Sequence, residues 1–257
     1  MKIVFIGAGR LAHHLAPTLM HAGHDIVQVY SRTMESAQNL AALAGASPTT
    51  DILQLNNMAD VYIIALPDGI ISNLIPEICK GRKQRIFLHT AGSMPMDIFK
   101  GMALHYGVLY PMQTFSMERE LDFSKIPVFV EGNDELALQT ATELAHSVSQ
   151  MVYELNSEDR KHLHLAAVFA SNFVNHCYAL SADILEKHGL DFSVMLPLID
   201  EVADKVHQLS PKDAQTGPAL RYDENVIRSQ SQLLRTNPIV KEIYDRMSLS
   251  IHNMSKK

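Results

Sequence analysis

The chain has 257 residues, of which 47% are hydrophobic, and a formal net charge of −6. This length allows one large domain or two smaller ones, each with its own core. The lysines and arginines are scattered along an acidic chain, which argues against a nucleic-acid-binding surface, and no run of about 18 apolar residues predicts a membrane-spanning helix.

The cysteines and histidines give no sign of a metal site. Cys79 and Cys177 fall in helical patterns without the spacing of metal ligands, and the 13 histidines form no spaced cluster with Cys, Asp or Glu. Unpaired cysteines are typical of a reducing compartment. Met1 and Lys2 open directly onto an apolar strand, without the pattern of a signal peptide. We therefore expect a cytoplasmic protein with no metal.

Strand-like and helix-like segments alternate up to about residue 155, which is the pattern of a parallel sheet covered by helices. The predicted strands are 2–7, 26–30, 61–66, 85–89, 107–110, 127–131 and 151–155. The predicted helices are 10–22, 33–44, 69–79 and 134–148. The usual strand order needs a further strand near 46–54, where the pattern is poor. Residues 1–155 are therefore predicted to form an α/β domain with a Rossmann-like, doubly wound parallel sheet.

The character of the sequence changes after residue 155. Long helical periodicities cover 157–188, 191–209 and 222–254. Only Gly189, Pro211 and the Thr216-Gly217-Pro218 turn interrupt them. We predict that residues 156–257 form a second, all-α domain.

A glycine motif follows the first strand. Gly7 permits the tight turn from strand to helix, Gly9 lets the backbone approach a phosphate, and Ala12 lets the helix pack closely on the strand. The phosphate would then lie at the helix N-terminus. The residues predicted to hold a dinucleotide pyrophosphate are Gly7, Ala8, Gly9, Arg10, Leu11 and Ala12. The alternative is an ordinary glycine-containing turn.

The second strand is followed by Ser31, Arg32 and Thr33, close to where an acidic residue normally holds the adenosine ribose. A carboxylate there would repel a ribose 2′-phosphate, whereas a guanidinium binds phosphate through charge-assisted hydrogen bonds. Ser31 and Arg32 therefore favour NADP(H) over NAD(H). In the alternative interpretation, Arg32 is a solvated residue of the next helix, and Ser31 or Thr33 caps that helix.

Loops that follow the strands are the expected place for chemistry, because ligands of doubly wound sheets bind beyond the carboxyl ends of the strands. Pro67 and Asp68 follow one strand, and Asp68 either lines the cofactor crevice or caps the next helix. His89 ends another strand, with Ser93 just after it. This histidine either transfers a proton during carbonyl or imine reduction or hydrogen-bonds the backbone at the strand end. We expect His89 and Ser93 near the nicotinamide.

Three residues are candidates for binding a substrate. Gln113 and Thr114 follow a predicted strand and can form hydrogen bonds, although a plain proline turn explains this segment equally well. Arg221 follows a Gly-Pro turn and either anchors a carboxylate or phosphate, or fixes the turn by pairing with Asp213 or Asp223.

A polar stripe occupies a sector of about 100° on the first long helix after residue 156. Its members are Lys161, His164, Ser171, Asn172 and Asn175. Such a stripe either faces water or lines a site, because burying it without partners would cost stability. The candidate catalytic residues are therefore His89, His164, Ser171, Asn172 and Asn175.

Five motifs occur in order along nearly the whole chain. They are Gly7-Ala-Gly9, His89-Thr-Ala-Gly-Ser93, Pro111-Met-Gln-Thr-Phe115, His164 through Asn172, and Thr216 through Asp223. Together they resemble a family of bacterial proteins described as NADP oxidoreductases. The resemblance implies a Rossmann-like N-terminal domain, a helical C-terminal domain of unknown function, an NADP cofactor, and a homodimer formed through the helical domain. Similar, more distant families are the deazaflavin-dependent NADP reductases, pyrroline-carboxylate reductases and β-hydroxyacid dehydrogenases.

Two positions depart from these families. Ser171 and Asn175 stand where the β-hydroxyacid dehydrogenases carry a catalytic lysine and an asparagine, so a lysine-dependent mechanism is not expected. Tyr110 stands where the closer family usually carries a histidine before its proline, which leaves His89 and His164 as candidates for proton transfer.

We therefore expect an NADP(H)-dependent oxidoreductase. Hydride would move between nicotinamide and a small carbonyl, imine or deazaflavin substrate held between the two domains. The alternative is a regulatory module that binds NADP(H) without catalysis, because the lysine and an unmistakable acid/base pair are missing. Neither nucleic acid nor a membrane is an expected partner.

Substitution of Arg32 tests the predicted cofactor preference. We expect Arg32→Ala to lower the preference for NADPH over NADH at least about tenfold, because a hydrogen bond to a charged group contributes about 1.5–3 kcal/mol. Titrations followed by nicotinamide fluorescence give the two Kd values. An unchanged ratio would show that Arg32 is a solvated surface residue.

Overall fold

In a computed structural model, which describes residues 1–256, the chain forms two compact units. The first comprises Met1–Asn172, and the second begins at Phe173. The last strand ends at Glu154 and the next helix begins at Ser157, on either side of the domain boundary expected at 155/156. That division into domains stays a prediction.

The first unit is built on an eight-stranded sheet. The strands are β1 (Lys2–Ile6), β2 (Asp25–Tyr30), β3 (Ser47–Thr49), β4 (Val61–Ile64), β5 (Ile86–His89), β6 (His105–Pro111), β7 (Val128–Gly132) and β8 (Val152–Glu154). Their spatial order is β3-β2-β1-β4-β5-β6-β7-β8. All neighbours run parallel except β6 and β7. The predicted doubly wound fold is confirmed, with its switch point between β1 and β4.

The antiparallel pairing of β6 and β7 departs from the predicted parallel sheet. The segment between these strands contains only a short 3-10 helix, Phe123–Lys125, in place of a crossover helix. Parallel neighbours need a crossover connection, so without one the chain returns in the opposite direction. The poorly patterned strand expected near 46–54 is reduced to β3, because Asp51 accepts a hydrogen bond from the Leu53 N–H and starts a 3-10 helix.

Four helices cover the sheet, each within one residue of its predicted bounds. They are α1 (Arg10–His21), α2 (Met34–Ala44), α3 (Asp68–Cys79) and α4 (Glu135–Val148). Buried side chains of α1, α2 and α4 pack on one face with Ile3 and Phe5, whereas those of α3 pack on the other face with Val4 and Ile6. Because both faces are covered, β1 reads as a continuous apolar run.

After β8 the regular secondary structure of the described chain is helical. In the first unit, α5 (Ser157–Ala167) is followed by a π-helical turn, Val168–Phe173, whose last residue lies across the boundary. The second unit contains α6 (Val174–Glu186), α7 (Leu196–Gln208), α8 (Pro218–Arg221), α9 (Glu224–Leu233) and α10 (Pro238–Ser255). None of the helices in residues 1–256 is long and apolar enough to cross a membrane.

The prediction of one helix over 222–254 is wrong. Tyr222 lies before the first helix of this segment, because its left-handed backbone, with φ of 55°, ends α8. The helix that follows it, α9, ends at Leu233. Asn237 caps α10 by accepting a hydrogen bond from the Val240 N–H, and Pro238 occupies the first position of that helix. The segment therefore divides into α9 and α10.

Candidate active site

The loops after β1, β4, β5 and β6 meet at one edge of the sheet, because these four neighbouring strands are parallel. They enclose a cavity of about 350 Å³, here called the smaller cavity. Its walls include Gly9, Arg10 and Leu11 after β1, residues 65–68 after β4, and residues 90–92 after β5. This is the edge at which doubly wound sheets bind ligands.

The two glycines of the motif serve different purposes. Gly7 has φ of +109°, and a Cβ there would lie 2.2 Å from the carbonyl oxygen of Ala65, so the turn requires glycine. A Cβ on Gly9 would meet no described atom within 4 Å, which leaves room beside the start of α1. No described side chain caps this helix. The N–H groups at its start are therefore open to an anion, as a dinucleotide pyrophosphate requires.

The residues expected to bind the 2′-phosphate follow the neighbouring strand. Ile6 of β1 pairs with Tyr30 of β2, so Ser31 and Arg32 leave the sheet beside Gly7. Thr33 caps α2 by accepting a hydrogen bond from the Ser36 N–H, so the cap of the alternative interpretation is not Ser31. Arg32 is exposed. Its contact with a phosphate stays a prediction.

Asp68 lines the smaller cavity and does not cap a helix. Pro67 occupies the N-cap position of α3, and Asp68 is the first helical residue. The Asp68 carboxylate accepts a hydrogen bond from the Ser93 hydroxyl, which joins the loops after β4 and β5. Of the two interpretations of Asp68, the structure therefore favours the crevice position.

A larger cavity of about 640 Å³ adjoins the smaller one. Its walls are residues 112–115 after β6 and residues of α5 and the π-helical turn, among them His164, Ser171 and Asn172. Five side chains line both cavities, and they are Arg10, Tyr110, Gln113, Phe115 and His164. The two cavities are thus compartments of one site within the first unit. The loops that were expected from the sequence to line a site surround it.

Tyr110 and His164 form a hydrogen-bonded pair where the compartments meet. The Tyr110 hydroxyl lies 3.0 Å from Nδ1 of His164. A Cβ on Gly92 would lie 2.6 Å from that nitrogen and 2.8 Å from Cζ of Tyr110, so only glycine leaves room for the pair. Burial raises the pKa of Tyr110, the charge of Asp68 adds to this, and the Arg160 guanidinium opposes it. The phenol therefore stays protonated near neutral pH and can donate a proton.

Tyr110 was not among the residues predicted to be catalytic. The available signal was that Tyr110, a titratable side chain at the end of a predicted strand, stands where the related family usually has a histidine. Partnership with His164 could not be foreseen, because 54 residues separate the two.

His89 does not suit the proton-transfer role predicted for it. Its side chain is fully buried, lines neither cavity, and packs near the ring of Phe99. Nδ1 accepts a hydrogen bond from the Ala91 N–H at 3.2 Å. Burial, together with the positive charge of Arg160, lowers the pKa of His89 to about 3. The structure therefore favours the alternative, a neutral histidine bonded to the backbone at a strand end.

The polar stripe predicted on the first long helix is interrupted. Ser171 and Asn172 line the larger cavity, whereas Lys161 pairs with Glu158 at 3.1 Å on the surface of α5. The π-helical turn between 168 and 173 breaks the 100° periodicity on which the stripe was predicted. Asn175 lies in α6, in the second unit, and its catalytic role stays a prediction.

Arg221 ends α8 in the second unit. In residues 1–256 it forms no ion pair with Asp213 or Asp223, which bond elsewhere: Asp213 accepts a hydrogen bond from the Ser210 hydroxyl at 2.6 Å, and Asp223 caps α9. Substrate binding by Arg221 stays a prediction. No group of three or more His, Cys, Asp or Glu within the described chain could hold a metal ion.

Comparison with known proteins identifies the family. The model of the family described as NADP oxidoreductase, coenzyme F420-dependent, matches residues 2–91, and that of a domain of unknown function, DUF2520, matches residues 126–251. The crystal structure of a putative NADP oxidoreductase from Bacteroides fragilis has 50% sequence identity and a TM-score of 0.94, and the match covers 98% of each chain. The chain belongs to this NADP oxidoreductase family. The resemblance carried by the five motifs is confirmed.

Other solved structures match the chain less closely. A protein from Thermotoga maritima is 26% identical, with a TM-score of 0.72, over 99% of this chain and 98% of that one. An imine reductase from Myxococcus stipitatus, solved in complex with NADP+, is 15% identical, with a TM-score of 0.71, over 100% of this chain and 94% of that one. At that identity the imine reductase shares the fold alone. No curated protein sequence matches the chain.

Substitution of Gly9 separates binding from folding. In Gly9→Ala the added methyl group enters open space, and the loss of a favoured N-cap residue is offset by the lower conformational entropy of the unfolded chain, so we expect Tm to change by only about 1–2 °C. The same methyl group blocks the approach of a pyrophosphate, and we expect the Kd for NADPH to rise at least about tenfold, or about 1.4 kcal/mol. Thermal unfolding and fluorescence titration measure the two effects. A lower Tm with unchanged affinity would contradict this assignment.

Proposed function

We propose that the protein is an NADP(H)-dependent oxidoreductase that reduces a small carbonyl, imine or deazaflavin substrate. The observation that carries the proposal is the Tyr110–His164 pair, which lies where a compartment suited to a dinucleotide meets a second compartment of about 640 Å³. Membership of the NADP oxidoreductase family supports the class of reaction.

The smaller cavity fits the cofactor. The start of α1, with Gly9, Arg10 and Leu11, would hold the pyrophosphate, and Ser31 and Arg32 would hold the 2′-phosphate. Asp68 and Ser93, joined by their hydrogen bond, would line the path of the nucleoside. Bound NADPH supplies the hydride.

Tyr110 is the proposed proton donor. When hydride reaches the carbon of a C=O or C=N bond, the oxygen or nitrogen gains the electron pair of that bond and needs a proton. The Tyr110 hydroxyl can supply this proton, and His164 can return one to the phenolate across their hydrogen bond while its other ring nitrogen takes up a proton from solvent. Proton transfer from the pair and hydride transfer together complete a two-electron reduction.

The larger cavity is the proposed substrate compartment. Gln113, Thr114 and Asn172 provide hydrogen-bonding groups, while Met112 and Phe115 provide apolar surface. This combination suits a small, partly apolar molecule that a few polar groups orient. A deazaflavin is included because the family model over residues 2–91 is described by coenzyme F420.

A substrate panel tests the function. Purified protein is mixed with NADPH and a set of carbonyls, cyclic imines and a deazaflavin, and the loss of absorbance at the nicotinamide band is recorded. Turnover with at least one class is expected. Tight NADPH binding without turnover on any class would instead favour a regulatory module that binds NADP(H), and no binding of NADPH would overturn the proposal.

Removal of the Tyr110 hydroxyl tests its role. We expect Tyr110→Phe to lower kcat about 10²-fold or more, the range typical of a lost general acid, while the Kd for NADPH changes less than about twofold. Tyr106→Phe is the matched control, because Tyr106 lies on the same strand with the same 8% exposure and lines neither cavity. Equal kcat values for the two variants would rule out Tyr110 as the donor.

The second unit supports a further proposal, that the protein forms a homodimer through its helices. Apolar side chains at Leu198, Val202 and Val206 of α7 lie within one sector of the helix, Leu209 follows directly after its end, and all four are about half exposed. An apolar stripe of this kind is typical of a surface that another protein covers.

A charge placed in this stripe tests the homodimer. We expect Val202→Glu to shift the protein from dimer to monomer, because pairing would bury the new carboxylate. His207→Glu, on the opposite side of α7, is the control and should leave the dimer intact. Sedimentation velocity measures the mass of each. A wild-type protein that sediments as a monomer at micromolar concentration would contradict the proposal.

A further inference from the structure

Arg160 is one of the largest fully buried side chains of the described chain, although it carries a charge. It lies in α5, and only 1% of it is exposed. Its guanidinium donates to the Glu131 carboxylate with one amino group. With the other it donates to the Met94 carbonyl at 2.6 Å and to the Ser157 hydroxyl at 3.2 Å.

Glu131 and Ser157 complete this buried network. The Glu131 carboxylate also accepts hydrogen bonds from the Ser157 N–H at 2.8 Å and from the Ser157 hydroxyl at 2.7 Å. Ser157 in turn accepts one from the Met96 N–H at 3.0 Å. The network therefore joins β7, the loop after β5 and the first turn of α5.

Each of these elements also supports the Tyr110–His164 pair. His164 lies one helical turn after Arg160 in α5. Gly92, whose missing side chain makes room for the pair, lies two residues before Met94. Tyr110 lies on β6, which pairs with β7 through Val108 opposite Glu131. The Arg160 guanidinium thus connects α5, which carries His164, to the loop that contains Gly92 and Met94. It also connects α5 to β7, the strand that pairs with β6 and Tyr110.

We propose that Arg160 is a positioning residue that sets the contact between Tyr110 and His164 by bridging Glu131 and the Met94 carbonyl. The proposal rests on the proposed function, in which this pair delivers the proton. Arginine is needed because its planar fork reaches two acceptors in fixed directions, whereas a lysine ammonium acts as a point charge on a flexible stem.

Arg160→Lys isolates the geometric part of this role. Burial raises the pKa of Tyr110, and the charge of Arg160 opposes that effect. The negative charge of Asp68 also raises the pKa of Tyr110, and Arg10 lines the same cavity as Tyr110. Lysine keeps the positive charge beside Glu131 but loses the second arm of the fork. A change in R160K therefore reports the bridge to Met94 more than the electrostatics.

A double-mutant cycle with Tyr110→Phe provides the test. We expect R160K to lower kcat at least tenfold when Tyr110 is present, with the Kd for NADPH changed less than twofold and a larger solvent deuterium isotope effect on kcat. In the Tyr110→Phe background, R160K should change kcat less than twofold, because the donor that it positions is already gone. Active sites are counted by NADPH titration, so a loss of folded protein does not enter kcat.

Two outcomes overturn the inference and leave the proposed function standing. One is an equal fold-loss from R160K in both backgrounds, which would show a merely structural role, and the other is no loss in either. A Tyr110→Phe variant with wild-type kcat would also overturn the inference, because Arg160 would then have no donor to position, while the measured turnover would leave the oxidoreductase activity standing. If R160K does not fold, Glu131→Gln gives the same test, because it keeps the side-chain shape but weakens the anchor on β7, and the same non-additivity is expected.

Arg82→Lys is the matched control. Arg82 is also buried, at 5% exposure, and its guanidinium donates to the backbone carbonyls of Leu55, Ile78 and Lys80. It lines neither cavity. Both R82K and R160K should lower Tm, because each loses hydrogen bonds of a buried guanidinium, but R82K should leave kcat and its isotope effect unchanged. An equal loss of kcat in R82K would show that any buried arginine has this effect, and would overturn the positioning role.

Discussion

The contact between Gly7 and the Ala65 carbonyl is the constraint on which the site depends. The turn after β1 passes so close to the loop after β4 that a single added carbon would lie 2.2 Å from that oxygen. Because the turn is this tight, α1 begins directly above the sheet edge, with Gly9 and Arg10 facing the crevice. The uncapped start of α1, the loop with Asp68 and the space beside Gly9 all follow from this one approach of backbone to backbone.

Much of the fold could be predicted because it is encoded locally. The apolar run of β1, the glycines after it, and the alternation of strand and helix patterns each lie within a short window of sequence. Their consequences are general, since parallel neighbours bring the carboxyl ends of strands to one edge. For that reason the loops at Asp68 and Gln113 were expected at a ligand site, and the structure places both in cavity walls.

What could not be predicted depends on contacts distant in sequence. The place of His89 at a strand end suggests a catalytic role. Its burial against Phe99 depends on how the sheet packs, which the local sequence does not show. The sequence marks Tyr110 only as a departure from a family pattern. Its pairing with His164 cannot be predicted, because 54 residues separate the two.

The π-helical turn at 168–173 has a consequence for how proteins with this fold diversify. A π turn is an α-helix that has accommodated one extra residue, so removing a single residue there would restore α-helical geometry. Such a deletion would change the positions of Ser171 and Asn172, which lie inside the turn, while His164 upstream kept its place beside Tyr110. The cavity wall at Ser171 and Asn172 and the Tyr110–His164 pair can therefore change independently of each other.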